Sequence, residues 1–262
     1  MLSIRIGGRR VRIAVAGGTG MVGRYVVEAA TASGHDVVVL ARSRGVDVRS
    51  GDGLVSALGG VDAVVDATNA ATTEEAPATE FFTASTASLQ RAGVEQGVGH
   101  LVVLSIVGID RASTGYYAAK AAHEHAALGG PLPATVLRAT QFHEFSAQLM
   151  AWNRKGSVAQ IPALQVQSVA ARAVGSVLAA LAAGTAKQRV ADLAGPERAD
   201  LVTLARRLSE RLNLGIDVQP VEATVPEDAL LPTDGARIDG PTFEQWLTTD
   251  DAATAAITMG LA

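Results

Sequence analysis

Tyr116 and Lys120 stand four residues apart in the run Tyr116-Tyr117-Ala118-Ala119-Lys120. On a helix this spacing puts a phenol and an ammonium on one face. A carbonyl that receives a hydride also needs a proton, and a free tyrosine, with a pKa of about 10, gives one up reluctantly at neutral pH. A nearby ammonium favours the phenolate and so eases that transfer. The spacing predicts Tyr116 as the acid/base group and Lys120 as the cation that lowers its pKa. The competing reading pairs Lys120 with Glu124, also four residues on, and leaves Tyr116 to pack. Tyr117 is rotated by about 100° and has Ala121 at its fourth position, which makes it the weaker candidate. Ser105, late in the apolar run Leu101–Val107, reads either as a hydrogen-bond donor to a substrate carbonyl or as a hydroxyl satisfied by backbone.

The second constellation is Gly17-Gly18-Thr19-Gly20-Met21-Val22-Gly23, between an apolar segment and a helical one. Gly17, Gly20 and Gly23 have the spacing that a chain needs to turn sharply, bring its backbone against a pyrophosphate and pack a helix tightly on a strand. Amides at the helix start, aided by the helix dipole, then hold the anion. A site for NAD usually carries a carboxylate on the ribose 2′-hydroxyl about 20 residues further on. Here that region reads Ala41-Arg42-Ser43-Arg44. Cations beside a hydroxyl suit a 2′-phosphate, so NADP(H) is expected in preference to NAD(H). The alternative is that Arg42 and Arg44 are plain surface charge.

These groups must be placed by strands and helices in alternation. Arg10–Ala16, Asp36–Ala41, Val61–Ala67, Leu101–Val107 and Ala134–Ala139 read as buried strands, with a further brief strand at Val46–Arg49. Met21–Ala32, a short stretch near Leu54–Leu58, Phe81–Gln96 and Thr114–Leu128 read as helices. The pattern predicts an α/β fold with a doubly wound parallel sheet. After Thr140 the rhythm loosens: helices are expected at Gln141–Asn153, Ser168–Ala183 and Leu201–Leu212, and a late strand at Arg189–Leu193. A Pro- and Gly-rich tail of loops and short elements follows, packed on the carboxyl edge of the sheet. We therefore expect an N-terminal extension over residues 1–9, disordered, a dinucleotide-binding core over 10–140, and a small C-terminal lobe over 141–262 that completes the fold and selects a small-molecule substrate.

Composition narrows the classes. The 262 residues carry 22 basic and 26 acidic side chains, only ten aromatics and no cysteine. Disulfides, thiolate metal sites and thiol nucleophiles are thereby excluded. A mildly acidic chain with few stacking platforms is a poor partner for nucleic acid. Arg206, Arg207 and Arg211 oppose an apolar face formed by Leu201, Leu204, Leu208 and Leu212, and read as a solvated face. With no apolar run near the roughly 18 residues a bilayer demands, and no export signal, a cytoplasmic location without membrane contact is expected. No metal site is expected either: His143-Glu144 lacks a second histidine at the right spacing, and His123 and His125 point apart on their helix. Phe142 and His143 follow a strand at its carboxyl end and are candidates for lining a substrate pocket, the alternative for His143 being a loop histidine facing water. The oligomeric state is open.

The segments RIAVAGGTGMVGR, GVDAVVDATN, HLVVLSIVG, YYAAKAAHEH, LPATVLRATQFHEF and DLAGPERADLVTLARRL resemble, in this order, the short-chain dehydrogenase/reductase superfamily. The chain is most similar to its atypical branch of NmrA-like and related NAD(P)H-binding proteins. The resemblance implies a Rossmann-type domain with a small C-terminal substrate lobe. It also implies cofactor contacts at Gly17, Thr19, Gly20, Met21 and Val22, and at Arg42 on the adenosine phosphate. Asp52 would lie at the adenine, and Ala67, Thr68 and Asn69 would line the ribose. Tyr116 becomes the acid/base, with Lys120 on the nicotinamide ribose. Two positions depart from the pattern: Ser105-Ile106 stands where many members have two hydroxyl residues, and Ala139 where a proline is usual. The expected function is an NADPH-dependent oxidoreductase for a carbonyl, quinone or conjugated small molecule. The alternatives are a redox-sensing NADP(H)-binding regulator without turnover, and an epimerase or dehydratase that uses bound cofactor without net redox change.

Overall fold

The computed structural model describes residues 9–262 apart from 113, 224 and 227. Of the expected N-terminal extension only Arg9, which bonds to Asp62, is among them; residues 1–8 lie outside the described residues. The first half alternates strand and helix: β1 (Arg12–Ala16), α1 (Gly23–Ala32), β2 (Asp36–Leu40), α2 (Leu54–Ala57), β3 (Ala63–Asp66), α3 (Glu75–Gln96), β4 (His100–Ile106), α4 (Gly115–Leu128) and β5 (Ala134–Ala139). The second half is more broken. It runs α5 (Phe145–Asn153), β6 (Arg154–Lys155), β7 (Val158–Pro162), β8 (Gln165–Val166), α6 (Ala171–Ala182), β9 (Gln188–Arg189) and β10 (Leu193–Ala194). It ends with β11 (Ala199–Asp200), α7 (Leu201–Arg211), β12 (Asp217–Val221), β13 (Arg237–Ile238), α8 (Phe243–Trp246) and α9 (Asp250–Thr258).

The main sheet is parallel throughout, in the order β13-β10-β5-β4-β3-β1-β2, with β9 also beside β5. Side chains alternate between two covered faces, which is why Ile13–Ala16, Ala63–Val65 and Leu101–Leu104 read as unbroken apolar runs. Ile13, Val15, Val65, Val102 and Leu137 pack against α1 and α6. Ala14, Val64, Leu101, Val103 and Val136 pack against α2, α3 and α4. This is the Rossmann-type doubly wound α/β fold. Because β1 lies between β2 and β3, the winding reverses there, and the carboxyl ends of β1 and β3 flank the crevice where such sheets take ligands.

The residues after 140 serve two structures. α6, β9, β10 and β13 extend the main sheet and its cover, while α5, α7, α8 and α9 enclose a separate apolar cluster around Met150, Ile161, Leu204, Leu208 and Trp246. Strand β7 pairs with β12 and β6 in a small sheet of its own.

Four local expectations change. No strand forms at Val46–Arg49: the Asp47 carboxylate accepts from the amides of Arg49 and Ser50 and folds the segment into a turn between Gly45 and Gly51, both at positive φ. α3 begins at Glu75, six residues before Phe81; Pro77 is tolerated because the first turn has no use for its missing N–H. α5 starts only at Phe145, since the backbone of Gln141–His143 pairs instead with Val169. The late strand splits into β9 and β10. The arginine-bearing helix α7 appears as expected, with Arg206, Arg207 and Arg211 exposed and an Asp200 cap at its start.

Candidate functional site

The glycine turn connects β1 to α1 at the switch point. Gly17 has φ +72°, and a Cβ there would lie 2.7 Å from the carbonyl oxygen of Ala67, at the end of β3. At Gly23 a Cβ would meet the Gly17 carbonyl oxygen at 2.1 Å. Both positions therefore require glycine, one for a left-handed turn and one for close packing. Gly20 is the least confined of the expected three, with one contact at 3.1 Å, whereas Gly18 is held between Val39 and the Val15 carbonyl at 3.0 and 3.1 Å. Spacing alone had not singled out Gly18. The amides of Thr19, Met21 and Val22 have no acceptor among the described residues. Thr19 and Gly20 are exposed, Met21 is half-buried and Val22 is buried. Shape and donors together fit a phosphate-bearing ligand laid over the turn.

Around this turn lie the other expected ligand residues. Arg42, Ser43 and Arg44 form one exposed 3₁₀ turn immediately after β2, and neither arginine joins an ion pair among the described residues. Asp52 is exposed in the loop before α2. Ala67 caps β3, Thr68 gives both its N–H and its hydroxyl to Asp66 Oδ1, at 3.0 and 2.6 Å, and Asn69 is exposed.

α4 brings Tyr116 to the same edge. Its hydroxyl donates to Asn69 Oδ1 at 2.7 Å, and its ring meets Phe82 edge-on at 5.9 Å. Burial raises the phenol above its ordinary range, so Tyr116 is a held proton at neutral pH. Tyr117 packs on the C-terminal cluster instead, and the structure thus separates the two tyrosines. Ser105 lies on the sheet face under α3 and α4, the same face as Val103, while Leu104 points to the α1–α6 layer. Ser105 is buried, and its hydroxyl has no partner among the described residues.

Lys120 departs from expectation. Its ammonium does not act on the phenol; it donates to the Leu104 carbonyl and to His123 Nδ1, both at 2.8 Å, and sits 4.4 Å from the centre of the Phe82 ring. The predicted lowering of Tyr116 is therefore reversed, because burial acts on the phenol with no cation to offset it. The alternative pairing of Lys120 with Glu124 is not formed either. Glu124 makes a buried two-pronged bond with Arg138, at 2.7 and 2.8 Å, and Arg138 also pairs with Asp110. Burial brings Lys120 down to about 8, against the attraction of Asp66 and Glu124.

Two residues of this cluster escaped sequence reasoning. His123 Nε2 meets Asp66 Oδ2 at 3.1 Å, and the imidazole stacks on Phe82 at 4.7 Å. Burial works to raise the Asp66 carboxyl, but the bonds from His123 and Thr68 outweigh it and hold the group at about 2. Burial, with the Lys120 charge, pushes His123 down, so the ring is neutral. One signal was available: a carboxylate closing an otherwise apolar strand needs a buried partner. Phe82, fully buried, is the common floor beneath Tyr116, Lys120 and His123.

The last two expected residues lie elsewhere. Phe142 packs under the α1–α6 layer. His143 does not face water: it is buried, with Nδ1 on Ser168 Oγ at 2.8 Å and Nε2 on the Pro241 carbonyl at 3.1 Å, between Phe243 and Trp246. Burial drops it to about 4. It borders a hollow of about 510 Å³ together with Ser168, Arg198, Arg207 and Phe243. Neither this hollow nor another of about 480 Å³ beside α6 and α9 includes Tyr116 or the glycine turn. Among the described residues no cluster of metal-ligating side chains occurs, and no helix is long and apolar enough to cross a membrane.

Comparison with known proteins bears on the fold. Residues 13–128, from β1 through α4, match the model of the NAD dependent epimerase/dehydratase family. No curated protein matches the chain. Solved structures share the fold over nearly their whole length. The UDP-N-acetylglucosamine 4-epimerase of Bacillus cereus is 19% identical with TM-score 0.65, over 95% of this chain and 96% of that one. WbmH of Bordetella bronchiseptica, in complex with NAD+, is 13% identical with TM-score 0.72, over 95% and 98%. RMD of Pseudomonas aeruginosa, complexed with NADPH, is 15% identical with TM-score 0.73, over 96% and 99%. At these identities the likeness is one of fold.

Proposed function

We propose that this protein is an NADP(H)-dependent oxidoreductase acting on a carbonyl, quinone or conjugated small molecule. One observation carries the reading: the glycine turn, closed on Ala67 at the switch point, lies on the same sheet edge as a protonated Tyr116 tied to Asn69. When bound, the dinucleotide supplies the hydride. The amides of Thr19, Met21 and Val22 would hold its pyrophosphate, and Gly17, Gly18 and Gly23 keep the space that its approach needs. Arg42, exposed and in no ion pair among the described residues, would meet a 2′-phosphate, with Asp52 toward the adenine and Ala67–Asn69 along the ribose. Tyr116 gives its proton to the substrate oxygen after releasing Asn69, and the unpartnered Ser105 hydroxyl can orient that oxygen. Phe142 and His143 do not meet this group, so other residues of 141–262, the part of the chain on which Tyr117 packs, would select the substrate.

The match over residues 13–128 favours a second reading, an epimerase or dehydratase in which the cofactor is reoxidised within one turnover. Titration with NADPH and NADH, followed by cofactor fluorescence, tests the foundation. Tight NADPH and weak NADH binding supports the reading, and binding of neither removes it. Tyr116→Phe should then lower turnover of a carbonyl panel by about 10²–10⁴-fold with cofactor affinity preserved. Net release of oxidised cofactor separates the oxidoreductase from the epimerase. Tight binding with no turnover, unaltered in the variant, would instead indicate a cofactor-sensing regulator.

A further inference from the structure

The bonds of Lys120 fix more than its own position. An ammonium donates three hydrogens and accepts none. Its contact with His123 Nδ1 therefore requires that nitrogen to be bare, so the ring hydrogen is on Nε2 and points at Asp66 Oδ2. Asp66 is in turn locked by two bonds from Thr68. The result is a directional chain, Lys120 to His123 to Asp66, with a cation at one end, an anion at the other and a neutral ring between. All three side chains are buried. Two of the three ammonium hydrogens are taken, by Leu104 and His123, and the third has no hydrogen-bond acceptor among the described residues, with the Phe82 ring centre 4.4 Å from the nitrogen.

We infer that Asp66 and His123 are positioning residues for the Lys120 ammonium: they fix it beside the carboxyl ends of β3 and β4, where the family resemblance implies a contact with a ligand hydroxyl. The inference rests on the oxidoreductase reading above. Its physical content is that a lysine side chain, with four rotatable bonds, is confined to one position by a side chain from its own helix and a carboxylate from β3. The charged groups facing Lys120 are Asp66 from β3 and Glu124 from α4, the latter neutralised by Arg138 from β5; α4 also presents the neutral His123 ring, and α3 the Phe82 ring.

The tests keep the two readings apart. The chain has three lysines, Lys120, Lys155 and Lys187, so the side-chain carbon resonances of labelled lysine report the Lys120 titration without any cofactor. Asp66→Asn retains an acceptor oxygen but removes the charge, and should move that midpoint down by about one pH unit. Nitrogen resonances of His123 should show Nε2 protonated and Nδ1 bare at pH 7. A second proton, a proton on Nδ1, or an unmoved Lys120 midpoint in Asp66→Asn overturns the inference, whether or not a dinucleotide binds. In NADPH titrations His123→Leu, with neither donor nor acceptor, should bind about tenfold more weakly, and His123→Gln, which keeps both, should recover most of it. Equal affinity of wild type and His123→Leu overturns positioning. Failure of the wild type to bind any dinucleotide overturns the function reading, and the two spectroscopic results then decide the inference alone.

Discussion

The glycine turn and the polar cluster beneath α4 meet at the same sheet edge but are specified in opposite ways. The turn is a backbone object. Its requirements, a positive φ at Gly17 and no Cβ at Gly23, fall within seven consecutive residues, and its neighbours are carbonyl oxygens that cannot give way. The cluster is a side-chain object. Asp66 and His123 are 57 residues apart, and Glu124 and Arg138 come from a helix and a strand. Its groups are tolerable inside the protein only because each has a partner. The difference teaches where mutations should act: the turn fails by steric clash, the cluster by loss of a partner.

The cluster should give the larger loss. Glu124→Leu removes both acceptors that Arg138 meets inside the protein and leaves only Asp110, itself mostly exposed. Urea unfolding should show a loss of about 4 kcal/mol, as for other buried pairs broken from one side. A loss below about 1 kcal/mol would mean that the pair is not buried in solution.

Next comes the turn. Gly23→Ala drives a methyl group into the Gly17 carbonyl and should cost about 3 kcal/mol, whereas Gly20→Ala should cost less than about 1 kcal/mol. Similar losses at both would break the claim that close packing, and not spacing, makes the turn.

The smallest effect separates the two regions by pH. Asp66 is held at about 2 against an ordinary value of 3.8. A depressed carboxylate stabilises the folded state fully above its unfolded pKa, and that contribution disappears as pH falls through the folded value. Stability should therefore fall by about 2 kcal/mol between pH 4 and pH 2 through this group. Lys120 is protonated in both states across that window and adds nothing to the slope. Asp66→Asn should flatten this part of the pH dependence, and Gly20→Ala should leave it intact.

Much of this molecule was legible before its structure. The first five of the eight strands of the parallel sheet, the glycine turn and the Tyr116–Lys120 helix all depend on periodicity and on residues close in sequence. Even so, local rules misplaced what long-range pairing controls. The segment Gln141–His143 has a helical pattern but pairs with Val169, and Val46–Arg49 looks like a strand but is turned by Asp47. His143, a loop histidine by position, is buried by Phe243 and Trp246 from 100 residues further along.

What the sequence determined by itself is the class of fold and the place of the turn, because a missing Cβ or a run of β-branched residues acts on its immediate neighbours. What only the tertiary structure decided is the state of the ionisable groups: that Tyr116 keeps its proton, that Lys120 faces His123 and not the phenol, and that Asp66 stays charged inside the protein. Those outcomes follow from burial and from partners brought together by sheet order, and neither is a property of any local stretch of chain.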